Sequence, residues 1–213
     1  MKKFLLIAVL FLSIITANAQ YYIGGSLGLN GSSGRNSEGK KVGVSNLDFS
    51  ISPEVGQNIS EKWDLGISLN FLTNSRKSFQ RPDDMTSKTN SLGIGLSPYV
   101  RYSFYKIGNF NVLGKLALNC FGNTIKSFDA EGKENDKQSS TNLGLNLSPL
   151  LFYNLSERIA LYTQLNFMGL DYTYAMSKRD GKKTGSSSSF NIGGNTDNLA
   201  TFDQVRLGFV YKF

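Results

Sequence analysis

Apolar residues alternate strictly with small or polar ones over most of this chain, and the alternation limits what the chain can fold into. In the segment 143–148, every odd position is leucine and every even position is glycine, asparagine or serine. Successive side chains of a β-strand point to opposite faces, so a period of two predicts strands with one apolar and one polar face. The pattern recurs in five further segments: 47–52, 63–71, 92–97, 159–167 and 205–213. Because no window after residue 19 keeps an apolar period of 3.6 residues, we predict an all-β fold.

The connections between these segments alternate in length. Two weaker runs, at 21–30 and 110–121, bring the number of predicted strands to eight. Short turns are predicted at 60–62, 106–109 and 156–158, and long polar loops at 31–44, 73–90, 122–140 and 175–200. A membrane barrel has short turns at its periplasmic rim and long loops outside. We therefore predict an eight-stranded antiparallel up-and-down transmembrane β-barrel.

Two soluble architectures also have alternating strands. A β-sandwich would point its apolar face inward and would not show this rhythm of long and short connections. A lipocalin-like barrel would keep bulky apolar residues inside, around a ligand. Here the second face is mostly Gly, Ser, Asn, Asp, Gln, Lys and Arg, which suits a hydrated lumen better than a dry core.

Aromatic residues support the membrane barrel independently. If the apolar parity faces outward, two groups of aromatic residues fall at the two ends of the strands, as expected for belts at the two membrane interfaces. The group at the short-turn end is Tyr21, Trp63, Tyr102, Phe104, Phe110, Tyr153, Tyr211 and Phe213. The group at the long-loop end is Phe49, Phe71 and Phe167.

The first 19 residues have the three parts of a secretory signal peptide. Lys2 and Lys3 are followed by an apolar run at 4–15, which is too short to span a membrane, and then by Ala17-Asn18-Ala19. Cleavage after Ala19 would leave residues 20–213 as the barrel domain and lower the net charge from +7 to +5. Because the chain is exported, we expect no nucleic-acid partner.

An internal repeat relates 46–73 to 142–169 without a gap. Three predicted strands that lead into short turns each carry Ser-Pro, seven or eight residues before the turn. Their prolines are Pro53, Pro98 and Pro149. Proline cannot donate a hydrogen bond to the ladder, so we predict bends there, near the periplasmic side.

The signal peptide, the apolar-x-apolar-Ser-Pro strands and the C-terminal alternation together resemble the outer-membrane β-barrel domain family, whose members are similar to small porin-like OmpA- and OmpX-type barrels. The resemblance covers the mature chain. It implies location in the cell outer membrane, surrounded by its lipids. It also implies that the last strand is a signal read by the barrel-assembly machinery, carried by Val205, Leu207, Phe209, Tyr211 and Phe213.

The amino-acid composition excludes several common kinds of catalytic site. Histidine is absent and Cys120 is the single cysteine, so a His-dependent triad, a His-ligated zinc site and an intrachain disulfide are impossible. The acidic residues at 129–136 match no calcium-loop spacing and are interleaved with lysines. We therefore predict no enzyme activity, no cofactor and no metal site.

The function predicted from the sequence is a structural or surface-interaction role through the long extracellular loops. The alternative is a narrow porin-like channel for ions or small solutes. The second and fourth loops each have a net charge of +2, which favours weak, salt-sensitive attraction to an anionic surface glycolipid or polymer. The charged residues of these two loops are Arg76, Lys77, Arg81, Asp83, Asp84 and Lys88, and Lys178, Arg179, Asp180, Lys182, Lys183 and Asp197.

One layer of charged residues is predicted inside the barrel. Its members have inward parity and lie at similar depth, with Gln164 beside them: Glu54, Arg101, Lys115 and Arg206. Because like charges shielded from water need a partner, Glu54 is expected to bridge at least one of the three cations. Further bulky side chains of inward parity are Leu113, Leu150, Phe152, Tyr162 and Met168. Eight strands enclose a lumen that side chains just fill, so we expect it to be closed; the alternative is that the basic layer is an anion-selective constriction.

Overall fold

The computed structural model describes residues 20–81, 84–165, 168–179, 182–194 and 205–213. These residues form ten antiparallel strands: β1 (Gln20–Arg35), β2 (Lys41–Asn58), β3 (Trp63–Arg81), β4 (Asp84–Ile107), β5 (Phe110–Phe128), β6 (Glu134–Asn154), β7 (Ile159–Leu165), β8 (Met168–Arg179), β9 (Lys182–Gly194) and β10 (Val205–Lys212). Among the described residues, there is no helix that is long and apolar enough to cross a membrane. The predicted signal peptide lies outside the described residues.

The strands close into a ring of eight. Each strand from β1 to β7 pairs with the next, β7 pairs with β10, and β10 pairs with β1. Strand β8 continues β7 along the side of β6, and β9 pairs with β8. The seventh and eighth barrel strands are thus each divided into two segments, which is why ten segments make eight strands. The predicted all-β, eight-stranded antiparallel barrel is confirmed.

The outer half of the barrel wall differs from the prediction. The segments 31–44, 73–90 and 122–140, predicted as loops, are mostly continuous strand, and so is the described part of 175–200. Strand β4 alone has 24 residues, about 80 Å of extended chain, whereas a tilted strand crosses the hydrocarbon with about ten residues. Above the membrane both faces of a strand meet water. Polar residues therefore occupy both faces, and the apolar–polar alternation disappears from the sequence although the hydrogen-bonded ladder between the strands continues.

The outward face carries the apolar band that a lipid environment requires. Leucine, isoleucine and phenylalanine side chains on this face are exposed along every strand of the ring, and Cys120 is exposed on the same face. At the periplasmic end, aromatic residues of the predicted belt touch in pairs, with ring centroids 4.7 Å apart for Trp63–Tyr102 and for Phe110–Tyr153. Phe49 and Phe71 are exposed nearer the outer end, and Phe167 lies outside the described residues.

Two of the three Ser-Pro dipeptides interrupt the ladder in the same way. In the described part of β2, β3, β4 and β5, the ladder skips the rungs at Ser52-Pro53 toward β3 and at Ser97-Pro98 toward β5, while the register is kept. No residue is inserted at Pro53 or Pro98. A missing N–H removes a rung without requiring an extra residue.

At Pro149 the register does change. Leu150 pairs with Gln164, but Leu147 pairs with Leu170, so the seventh barrel strand holds three additional residues opposite Ser148-Pro149. This change of register is what the structure shows beside Pro149, and the bend expected there stays a prediction. Gly169 makes it feasible, because its φ is +141° and a Cβ there would collide with the Leu147 carbonyl oxygen.

Candidate functional site in the barrel lumen

A buried ion pair crosses the periplasmic half of the lumen. The Nη2 atom of Arg101 on β4 donates to both carboxylate oxygens of Glu54 on β2, at 2.6 and 2.7 Å. Both side chains are 1% exposed. Each is placed there by the strand period, since Glu54 shares its parity with the buried Ser52, and Arg101 with the buried Ser97. A charge this far from bulk water needs such a partner, because desolvation costs several kcal/mol for each ion.

Aromatic rings surround the guanidinium group. The Cζ atom of Arg101 lies between 4.6 and 5.6 Å from the ring centroids of Tyr22, Tyr99, Phe152 and Tyr162. The Tyr22 and Tyr99 hydroxyls are hydrogen-bonded at 3.1 Å, and Phe152 stacks on Tyr162 with centroids 4.9 Å apart. A cation over ring faces gains favourable energy in a desolvated site. The Arg101 side chain, its carboxylate partner and these rings together form what we call the lumen plug.

Glycines make room for the tyrosine rings. Tyr22 lies directly across the ladder from Gly56, Tyr99 from Gly66 and Tyr162 from Gly208. The position that a Cβ would take on Gly66 is 2.5 Å from the Tyr99 ring, so only glycine fits beneath it. Sequence reasoning missed Tyr22 and Tyr99 as site residues. Their inward parity, opposite glycines of the neighbouring strand, is the signal that would have identified them.

The remaining members of the predicted layer are not equivalent. Lys115 is Arg101's partner across the ladder, is 8% exposed, and has its Nζ atom 4.3 Å from the Tyr99 ring centroid. Arg206 pairs across the ladder with Gln164 and lines the space above the plug. The structure therefore brings Glu54, Arg101 and Lys115 into one cluster, and it places Arg206 at the outer margin of that cluster.

The plug lies between two spaces. On the periplasmic side is a cavity of about 940 Å³, whose lining includes Tyr22, Arg101 and Phe152. On the outer side is a polar cavity of about 320 Å³, whose lining includes Ser97, Lys115 and Arg206. Four of the bulky residues expected to narrow the lumen are buried: Leu113, Leu150, Phe152 and Tyr162. The fifth, Met168, has a side chain that lies outside the part of the molecule that the structure describes.

The acidic residues of the third hairpin are engaged individually. The Asp129 carboxylate accepts backbone N–H groups of its own turn, at 3.1 Å from Glu131 and 2.8 Å from Lys133. Glu134 bridges Lys126 at 2.8 Å. Arg179 of the fourth hairpin donates to both carboxylate oxygens of Asp136, from Nε at 2.8 Å and from Nη2 at 2.5 Å. These contacts order the hairpin tips and join two of them.

Comparison with known proteins decides the family. Residues 4–213 match the family model described as outer membrane protein beta-barrel domain. The chain belongs to this family. As a member of the outer membrane protein beta-barrel domain family, it is located in the outer membrane, and its exposed apolar band faces the lipids there.

Solved structures of several outer-membrane barrels are similar to this family member. Neisserial surface protein A is 17% identical, covering 92% of this chain and 99% of that one, with a TM-score of 0.41. Ail, the attachment invasion locus protein of Yersinia pestis, is 14% identical, covering 92% and 97%, with a TM-score of 0.39. The outer membrane protease OmpT of Escherichia coli is 10% identical, covering 94% and 100%, with a TM-score of 0.36. No curated protein matches the chain.

Proposed function

We propose that this outer-membrane barrel is a non-conducting protein with a structural or surface-interaction role, carried by its four extracellular hairpins. The observation that supports this most is the continuation of the ladder well beyond the apolar band. Four two-stranded extensions place polar residues on both faces outside the membrane. A barrel that served only as a membrane plug would need about ten residues in each strand.

The lumen supports the non-conducting part of the proposal. Arg101 and Glu54 are buried and bonded to each other inside an eight-stranded barrel, whose interior is only wide enough for side chains. The rings of Tyr22, Tyr99 and Tyr162 fill the space beside them. An anion-selective constriction needs charged groups that face a water path, whereas this pair is desolvated and neutralised internally.

Conductance in a planar bilayer tests this directly. We expect the purified barrel to give no steady current, and Lys115→Ala to leave that result unchanged. Steady, anion-selective conductance that changes with Arg101→Ala or Lys115→Ala would overturn the proposal in favour of the narrow channel.

The partner that we propose is an anionic surface glycolipid or polymer. Among residues 72–91, the second hairpin has four basic residues against two acidic ones. Binding of purified protein to such a polymer should weaken steeply when salt is raised from about 50 to 500 mM, because exposed charges are screened beyond a Debye length. Binding that is indifferent to salt would contradict the electrostatic basis.

Export and assembly complete the proposal. We propose that cleavage after Ala19 separates residues 1–19 from the barrel domain at 20–213, which N-terminal sequencing of the mature protein would show as a chain beginning with Gln20. We also propose that the last strand is read by the assembly machinery. Leu207 and Phe209 are exposed on the outer face of β10, and Phe213, directly after this strand, is exposed too. The N–H of Phe213 donates to the Tyr21 carbonyl at 3.0 Å, which supports a role at the closing seam.

A further inference from the structure

Cations face each other directly across the ladder in each of the four extracellular hairpins. Three of these cross-strand pairs are Lys77 opposite Lys88, Lys126 opposite Lys137, and Lys178 opposite Lys183. In the first hairpin, Arg35 lies opposite Lys41. Residues directly opposite each other share a face and have Cβ atoms about 5 Å apart, so like charges there destabilise the ladder. We call these four juxtapositions the cation pairs.

All four pairs lie on the outer surface of the wall. Lys77 has the parity of the exposed Phe71, Lys178 that of the exposed Tyr172, and Arg35 that of the exposed Leu29. The cation pairs thus face away from the lumen and toward the layer that surrounds the barrel above its apolar band.

Their height is similar on the different strands. Lys77, Lys178 and Arg35 each follow the last exposed apolar residue of their own strand by six residues, and Lys88 lies four residues from the exposed Leu92. At about 3.3 Å per residue and a tilt near 40°, four to six residues rise roughly 10 to 15 Å above the apolar band. The polar headgroup layer of an ordinary bilayer is only about 5 to 8 Å thick on each side. The cation pairs therefore stand above simple phospholipid headgroups, at the level of sugars attached to a glycolipid.

Within the third hairpin the repulsion is partly relieved, since Glu134 contacts Lys126 at 2.8 Å. For Lys77 with Lys88 and for Lys178 with Lys183, no acidic partner is recorded among the described residues. A group with two negative charges placed between two such ammonium groups would convert their repulsion into paired, charge-assisted hydrogen bonds.

We propose that the cation pairs are binding sites for phosphate groups carried on the sugars of an outer-leaflet glycolipid. The inference rests on the proposed surface-interaction function and specifies its partner. Phosphate supplies the required charge and three acceptor oxygens, and the four hairpins present the sites around the barrel circumference. Several phosphorylated glycolipid molecules then bind around one barrel.

The test uses the full-length barrel in detergent micelles, with fluorescently labelled, phosphorylated lipopolysaccharide as the probe and anisotropy as the readout. Because each pair is one of the four proposed sites, Lys77→Gln/Lys88→Gln should lower the number of probe molecules bound at saturation by one, and Lys178→Gln/Lys183→Gln should do the same. Lys77→Arg/Lys88→Arg keeps both charges and should keep the number bound. Heat-modifiable migration on gels verifies that each variant is folded.

Two controls separate the outcomes. Lys62→Gln/Lys106→Gln removes the same charge from the periplasmic side and should leave the number of probe molecules bound at saturation unchanged. Enzymatically dephosphorylated lipopolysaccharide should bind the unaltered protein more weakly than the phosphorylated form does. Equal affinity for the two lipopolysaccharides, or equal loss in the periplasmic control, would overturn the phosphate sites while leaving a salt-sensitive surface role standing. Absence of any binding by the unaltered protein would overturn both proposals.

Discussion

Removing one or the other partner of the buried Glu54–Arg101 ion pair should lower the free energy of unfolding by different amounts. Arg101→Met leaves the Glu54 carboxylate buried, but Lys115, the ladder partner of residue 101, still provides a cation nearby. Glu54→Gln leaves Arg101 and Lys115 together in a desolvated site without their carboxylate. Removing one partner of a buried pair costs about 3 to 5 kcal/mol. We expect Arg101→Met at the lower end of this range and Glu54→Gln at the upper end.

The double variant Glu54→Gln/Arg101→Met should lose less than the sum of the two single changes, by about 2 kcal/mol or more, because it leaves neither a buried carboxylate without Arg101 nor two unpaired cations side by side. Denaturant unfolding of the barrel in lipid vesicles measures these differences. The single tryptophan, Trp63, packs against Tyr102 at the barrel base and reports the transition by fluorescence.

The exposed pair of Lys40 and Glu38, 3.2 Å apart, is the matched control. Glu38→Gln should change the free energy of unfolding by less than about 0.5 kcal/mol. A coupling energy below about 0.5 kcal/mol between residues 54 and 101 would show that the lumen pair is solvated in the membrane. Such a result would refute desolvation of the lumen plug.

Three further outcomes are expected. Gly66→Ala should destabilise the barrel by about 1 to 3 kcal/mol in the same unfolding assay, because the new methyl group displaces the Tyr99 ring. Deleting Phe213 should lower the amount of heat-modifiable, folded barrel recovered from outer membranes. Hydrogen bonds from Arg179 hold the pKa of the Asp136 carboxyl at about 2, below its value in the unfolded chain. The contribution of this ion pair to folding stability is therefore complete above about pH 4 and is lost as the pH falls through 2. NMR titration of the Asp136 carboxyl would detect this pKa.

Each of these three predictions can be contradicted by a specific result. Gly31→Ala serves as the glycine control, since the nearest atom to its Cβ would be 3.8 Å away; equal destabilisation by both alanines would mean that the tyrosine ring is irrelevant. Unchanged recovery without Phe213 would remove the terminal residue from the assembly signal. In an Arg179→Gln variant the Asp136 titration should move upward, and an unchanged midpoint would assign the shift to another group.

The sequence predicted the barrel and the inward layer of charged residues because both depend on the alternation of side chains between two faces. That alternation can be read within each strand separately. The extent of the hairpins was missed, since Ser, Asn and Lys on both faces of a wet ladder look like a loop. Glu54, Arg101 and Lys115 were predicted at one depth, but choosing Arg101 as the partner depends on how strands tilt around the ring. The three-residue offset at Pro149 is a matter of how two strands pair, which the pattern within one strand does not contain.

The skipped rungs at the Ser-Pro dipeptides have a mechanical consequence. Those at Pro53 and Pro98 lie on alternate strands, seven or eight residues above the periplasmic turns. Because ladder hydrogen bonds are missing there, the wall resists shear less at these two places. The Glu54–Arg101 bridge spans from β2 to β4 beside both of them. It therefore ties together, from inside the barrel, two strands whose ladders are locally weakened.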